Sequence, residues 1–573
     1  MRKLALISGI LLLIAVAATA AFLRTPGPVA SITTASKYIA ATANPYASRA
    51  ALDVLRKGGS AVDAAIAAHL VLSLVEPQSS GIGGGLFMLV ANGRSDMRVY
   101  DGRETAPRSA SPNLYLRGGG LPRPLEDIAR GGLSVGVPGA IAALESAHRR
   151  YGKLPWADLF TPAIRLAEEG FIVSPLVVQA ITELDRKEID PVMLAAYFHK
   201  DGQPIRAGER IRDPVLSKTL RTIAKQGRAG FYGGEVAQAI VQAVRSSSRN
   251  PGGMTLKDLE EYQAQERDPI CAPFKRHTVC TTPSPSGGVS LLQIMGLVND
   301  QPASALALGS VSQLHLLSQA YRLAYSDRAK WMADPAFANV PTEGLLDNGY
   351  LRSRASQINV TWDMDRAIAG DPPQKHARVI NYAPHRTKVL HGTSHLVVVD
   401  ASGQVVSMTA SIQAAFGAQI RAAGFVLNNE LTDFSHEPLI NGVPVANAPA
   451  PGKRPLSAMS PAIVFGPDGR FSLAIGSPGG PEIITYNAQA LINILAGEAS
   501  VGSAMATAHF ANQNGPTVLE KGTRALTLAP FLVLRGHSVR VREMESGLTV
   551  IRKTPIGFEA ATDIRGEGSA VGD

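Results

Sequence analysis

The residues with the clearest capacity for chemistry lie in a few short runs. Gly392-Thr393-Ser394-His395 stands immediately before a segment of period-two apolar alternation. A threonine hydroxyl is a poor nucleophile unless a base takes its proton, and a threonine that becomes a chain terminus carries such a base in its own α-amine. With a reference pKa of ~7.7–8.0, that amine is substantially deprotonated near neutral pH. The bare tripeptide is also what an ordinary strand start looks like, so its neighbours decide. Asp101-Gly102-Arg103-Glu104 offers an arginine whose planar fork suits a carboxylate, or an ion pair with Glu104 or Asp101. Asn428-Asn429-Glu430-Leu431-Thr432-Asp433 offers two carboxylates for one cation, or a solvated turn.

Two other chemistries are weak here. The run Ser79-Ser80-Gly81-Ile82-Gly83-Gly84-Gly85 lacks dinucleotide spacing and a following Lys-Ser/Thr, so it reads as close backbone packing rather than a phosphate cradle. His391 and His395 flank Thr393 without an HExxH or carboxylate cluster, which points to structural roles and to no metal.

These runs need elements to position them. Ser60-Ala61-Val62-Asp63 reads as a capping box opening a nearly all-apolar, buried helix to about Val75, followed by a strand at Phe87 to Ala91. From about 125 to 390 the periodicity is mainly helical, with amphipathic segments near 137–151, 215–226 and 289–298. From His395 it turns to period two. Segments 395–400 and 404–411 flank Ala401-Ser402-Gly403, and 462–465 faces 471–475 across Gly466-Pro467-Asp468-Gly469. The fold class is α+β, with two sheets between helical layers. If Lys275-Arg276 centres a two-residue hairpin, Cys271 and Cys280 fall opposite one another, either bonded or as two small buried residues.

A chain of 573 residues suggests two to four structural units, not necessarily consecutive in sequence. Apolar residues at 45% and charged residues at 18% fit a folded soluble body. The net charge of +9 comes from Lys and Arg scattered among acids, without the basic stripes of a nucleic-acid binder. Arg2 and Lys3, the apolar run Leu4 to Ala17 and Ala18-Thr19-Ala20 read as an export signal over residues 1–20, with an uncleaved membrane anchor as the alternative. The expected location is periplasmic or secreted.

Gly392-Thr393-Ser394-His395 resembles the processing site of the γ-glutamyltransferases, which belong to the N-terminal nucleophile hydrolases. The resemblance extends through Pro451-Gly452-Lys453-Arg454-Pro455-Leu456-Ser457-Ala458-Met459-Ser460-Pro461, Gly476-Ser477-Pro478-Gly479-Gly480, Asp101 to Pro107, Leu427 to Phe434 and Thr409 to Gln413. Beginning near Ala40 and ending in Asp563-Ile564-Arg565, it covers nearly the whole mature chain.

What the resemblance implies is specific. The fold is a four-layer αββα sandwich. Thr393 attacks the carbonyl of Gly392, cutting the chain into a large subunit (21–392) and a small one (393–573) that stay together as a heterodimer; glycine at 392 suits the strained backbone such an attack needs. Thr393 then attacks γ-glutamyl amides such as glutathione and passes the acyl group to water or an amine acceptor, without a cofactor. Ser411 orients Thr393. Gly479 and Gly480 supply oxyanion amides, each donor worth about 2.7–4 kcal/mol. Arg103 and Ser457 hold the substrate α-carboxylate, Glu430 and Asp433 its α-ammonium, and Gln413 its head group. Ser411 and Gln413 depart from the family pattern but preserve polarity. Ala458 replaces a second serine and removes a hydrogen bond worth ~1.5–3 kcal/mol. Related activities stay open: a glutaryl or cephalosporin acylase, a γ-polyglutamate depolymerase, or a non-catalytic binder of γ-glutamyl compounds.

Overall fold

A computed structural model describes residues 30–185, 189–374, 380–385 and 392–573. The proposed signal (1–20) and His391 lie outside them. Fourteen strands build the body: β1 (Ile32–Ala35), β2 (Ile39–Thr42), β3 (Gly85–Ala91), β4 (Met97–Asp101), β5 (Gln265–Arg267), β6 (Ile270–Phe274), β7 (His277–Thr281), β8 (Thr393–Val399), β9 (Val405–Ser411), β10 (Ala462–Phe465), β11 (Phe471–Gly476), β12 (Thr549–Thr554), β13 (Gly557–Thr562) and β14 (Ser569–Gly572). They form two seven-stranded sheets, ordered β1-β13-β12-β11-β10-β7-β6 and β14-β2-β8-β9-β3-β4-β5.

The sheets stack through Val397, Val399, Val405 and Leu89 on one side and Ile463, Phe465, Ala474 and Ile551 on the other. Helices α1 (Pro45–Arg56), α2 (Ala61–Val75) and α3 (Ala140–Tyr151) cover the outer face of the second sheet, against Leu396, Val398, Val406 and Met408. Helices α4 (Gly288–Leu297), α5 (Val311–Trp331) and α6 (Ile483–Leu495) cover the first, against Val464, Leu473, Ile475 and Val550. This is the αββα sandwich. With both faces covered, every residue of β3, β8 and β9 is buried, so the polar positions of these strands face protein rather than water.

Helix α2 begins as its sequence dictates. The Ser60 hydroxyl accepts from Asp63 N–H at 3.1 Å, and the Asp63 carboxylate accepts from Ser60 N–H at 3.0 Å. All its residues are buried, consistent with an apolar surface all round. The described part of 125–390 is mainly helical, and within it 265–281 supplies β5 to one sheet and β6–β7 to the other. One expectation needs correction. Helix α4 is buried almost all round rather than amphipathic, because α5, α6 and the first sheet enclose it.

Each sheet mixes strands from both sides of Gly392. Strand β8 pairs with β2, β9 with β3, β10 with β7 and β13 with β1, all antiparallel. Cys271 lies opposite Cys280 in the β6–β7 hairpin, with Lys275 at φ 51° in its turn, and the two are bonded. Among the described residues no helix is long and apolar enough to cross a membrane.

The bond closes a short loop at the edge of the first sheet. Replacing both cysteines by serine should lower stability by about 2–3 kcal/mol. The urea midpoints of the two proteins, compared without reductant, measure it; equal midpoints would show that the hairpin needs no cross-link.

Candidate active site

Thr393 opens β8, and the antiparallel register places it directly opposite Ser411 at the end of β9. The Thr393 hydroxyl donates to Ser411 Oγ at 3.3 Å, a long contact for two hydroxyls. Ser411 Oγ donates to the Gly392 carbonyl at 2.8 Å and accepts from Gln413 N–H at 2.8 Å. One donor and two acceptor positions are all that a serine hydroxyl has, so Ser411 is saturated. It joins the candidate nucleophile to the carbonyl before it.

The surroundings leave no spare room. A Cβ on Gly392 would meet the Ala414 carbonyl at 2.6 Å, so space is a sufficient reason for glycine there. A Cβ on Gly84 would stand 2.1 Å from the Ser411 carbonyl, and one on Gly83 2.1 Å from that of Val426. The glycine run therefore packs backbone to backbone under the site, as its sequence suggested. Past Ser411 the chain turns through Gln413 (φ 79°), Phe416 (φ 58°) and Gln419 (φ 57°). Left-handed backbone at non-glycine residues costs of order 1 kcal/mol each and marks a loop held by its environment.

Behind this pair lies a buried charge cluster. Arg103, 1% exposed, donates to Glu430 at 2.5 Å, to Asp433 at 2.6 Å and to the carbonyls of Pro455 (3.1 Å) and Leu456 (2.9 Å). Its nearest contact with Glu104 is 3.7 Å, and Asp101 receives only its backbone N–H. The guanidinium thus pairs chiefly with neither of the sequence neighbours considered. Glu430 and Asp433 are buried rather than solvated, because Asn428 folds their short helix inward through hydrogen bonds with Gly83, Gly136 and Glu430. Gln413 Nε2 donates to Asp433 at 2.5 Å, so hydrogen bonds run unbroken from Thr393 through Ser411 and Gln413 to Asp433, Arg103 and Glu430. Burial raises the Glu104, Glu430 and Asp433 carboxyls above their ordinary range, against the pull of Arg103. Burial alone would lower Arg103, but Glu430 and Asp433 outweigh it and hold the cation.

In front of Thr393 opens a cleft of about 780 Å³, which Gly392, Thr393, Pro478 and Gly479 help to line. Gly479 (φ 127°) and Gly480 (φ 57°) carry the turn from β11 into α6. A Cβ on Gly479 would meet Tyr486 at 2.5 Å. Neither amide has an acceptor among the described residues. Gly480, Ser457 and the charge cluster do not line the cleft. Ser457 Oγ accepts from Met459 N–H at 3.1 Å and its carbonyl accepts from Arg328 at 2.7 Å, just past the carbonyls that hold Arg103. Ala458 is partly exposed beside it. His395 is structural: burial pushes it down to about 3, and its Nδ1 meets Thr409 Oγ1 at 2.8 Å.

One group was missed. Glu76, at the C-terminus of α2, lines the same cleft, and its carboxylate accepts from Ser394 Oγ at 2.8 Å; Ser80 Oγ donates to Ser394 in turn at 3.0 Å. A carboxylate at a helix C-terminus opposes the helix dipole, and that misfit was the available signal. Burial pushes it from 4.5 up to about 7, against the Ser394 hydrogen bond and with repulsion from Glu567.

A threonine at the start of a central strand, in a two-sheet sandwich with a glycine loop facing it, is the arrangement of an N-terminal nucleophile hydrolase. The family model for gamma-glutamyltranspeptidase matches residues 47–573. A glutathione hydrolase proenzyme of Bacillus subtilis is 38% identical over 459 residues, 79% of this chain and 76% of that protein. An acylase proenzyme of a Pseudomonas strain is 32% identical over 556 residues, 94% of each. The crystal structure of a cephalosporin acylase from Bacillus halodurans superposes with a TM-score of 0.82 at 26% identity, covering 96% of this chain and 98% of that one. The chain belongs to the γ-glutamyltranspeptidase family, and it is an enzyme.

Because the folded-state value of Glu76 lies above its ordinary one, the folded chain holds the extra proton between about pH 4.5 and 7, and this contribution to stability falls as pH rises through that window. Glu76→Gln should therefore change little at pH 4.5 and gain up to about 3 kcal/mol over the parent above pH 7. Melting temperatures of both proteins across that range measure the difference; a gap independent of pH would contradict it.

Proposed function

We propose that the chain cuts itself between Gly392 and Thr393 and then cleaves γ-glutamyl amides such as glutathione through an ester on Thr393. The observation that carries this is the double role of Ser411, which receives the Thr393 hydroxyl and donates to the Gly392 carbonyl. That hydrogen bond polarises the carbonyl to be attacked, while the threonine oxygen stands beside it. Attack by Oγ on the Gly392 carbon forms an ester and frees the Thr393 α-amine, which takes up the proton; water then opens the ester. In turnover the freed amine is the base, and the idle amides of Gly479 and Gly480 suit the oxyanion.

The buried cluster supports a free amino-acid head as ligand. A zwitterion entering between Arg103 and the carboxylates of Glu430 and Asp433 gives each an opposite charge, with its carboxylate on the guanidinium and its ammonium on the acids. Both charges of the ligand are then paired, and the net charge of the pocket is unchanged. Ser457 and Gln413 complete this pocket. The acyl group passes to water or to a small amine acceptor, and no cofactor enters the scheme.

The large subunit would be 21–392 and the small one 393–573. Five strand pairings across the cut, with their shared core, support a heterodimer that stays associated. Export by residues 1–20 agrees with the Cys271–Cys280 bond, which persists in an oxidising compartment. A second reading, an acylase acting on glutaryl amides, is favoured by likeness to acylases over nearly the whole chain.

Thr393→Ala should leave one uncut chain without release of p-nitroaniline from γ-glutamyl-p-nitroanilide. Ser411→Ala should slow both cutting and turnover by about ten- to hundredfold. Intact mass and N-terminal sequencing follow the cut, and an active protein still joined at 392–393 would overturn the scheme. The glutaryl anilide, which lacks the ammonium, should react at least about a hundredfold more slowly; the reverse order would select the acylase.

A further inference from the structure

The open cleft carries a charge pattern that neither the family motifs nor the net charge predicts. Seven carboxylates and two guanidiniums line it, although the whole chain has a net charge of +9. Arg565 is tied to Asp563 and Glu520, and Glu543 to Lys521. Glu126, Glu183 and Glu545 are exposed in the cleft wall with no ion pair among the described residues. A second observation is independent of charge. Gln78 and Gln419 line the same cleft, are 8% and 9% exposed, and the buried Oε1 of each meets no donor. Unpaired acceptors of this kind are costly, and a ligand rich in N–H groups could bring the missing donors.

The cleft is lined by Thr393 but not by the buried charge cluster, so it is the space left for the departing amine and the incoming acceptor. Resting on the function proposed above, we infer that the cleft selects acceptors bearing a second, positively charged group, such as lysyl dipeptides, and disfavours acceptors bearing an extra carboxylate. The attacking nitrogen is the neutral α-amine. Its lone pair bonds to the acyl carbon as the ester bond to Thr393 Oγ breaks, and its proton goes by way of the Thr393 amine to that oxygen. The distant ammonium stays protonated and lies among Glu126, Glu183 and Glu545.

The test compares Gly-Lys and Gly-Glu as acceptors from γ-glutamyl-p-nitroanilide, each rate read against the same protein's hydrolysis without acceptor. Gly-Lys should have the higher kcat/KM by roughly five- to tenfold at low salt, and the ratio should fall toward one in about 0.5 M NaCl. Combining Glu126→Gln, Glu183→Gln and Glu545→Gln should lower it at low salt as well; a general loss of activity cancels in the ratio. Equal or better use of Gly-Glu at low salt overturns the inference, as does a preference that neither salt nor the triple variant reduces. Calorimetric binding of the two dipeptides to the unaltered protein keeps the outcomes separate. If no p-nitroaniline is released, the function proposed above fails, and Gly-Lys binding no tighter than Gly-Glu then sinks this inference on its own ground.

Discussion

The register between β8 and β9 is the constraint on which the rest depends. It sets Thr393 against Ser411, so that one serine proton and two lone pairs connect a nucleophile, the carbonyl before it and the loop behind it. A slip of one residue would turn every side chain of β8 to the opposite face, putting Ser394 where Thr393 stands. Neighbouring strands on both sides prevent it, and the dry core between the sheets penalises it. The glycines at 83 and 84 let the backbone beneath approach closely enough to hold this geometry.

The second costly feature is the burial of Arg103 with three acidic groups. Taking such charges out of water is unfavourable unless each finds a partner, and two carboxyls keep oxygens without one: Glu104 and Glu430. Raised carboxyl pKa values are how the cluster tolerates its excess of acid. Asn428 and the carbonyls of Pro455 and Leu456 hold it in place, a structural interaction that also suits the receptor role proposed for it. Net charge gives no hint of this, since it sums a basic exterior with acidic interiors.

Much of the architecture was legible because it rests on local physics. The capping box at Ser60, the hairpins around Ala401-Ser402-Gly403 and Gly466-Pro467-Asp468-Gly469, and the Cys271–Cys280 apposition each depend on residues near one another in sequence. The family motifs marked Thr393, Ser411, Gln413, Arg103, Glu430 and Asp433, and the fold brings all six onto one hydrogen-bonded path. Short strands such as β5–β7 escaped, since their pairing depends on partners far away along the chain rather than on their own pattern.

The sequence by itself determined which side chains could react and which local turns and helices would carry them. Only the tertiary structure decided their company: that Arg103 pairs with residues more than three hundred positions away, that Glu76 and Ser394 share a proton site beside the nucleophile, and that acids distant along the chain converge on one cleft. The physical reason is range. Backbone propensity acts over a few residues, whereas burial and electrostatics act between whatever groups the packed sheets bring together.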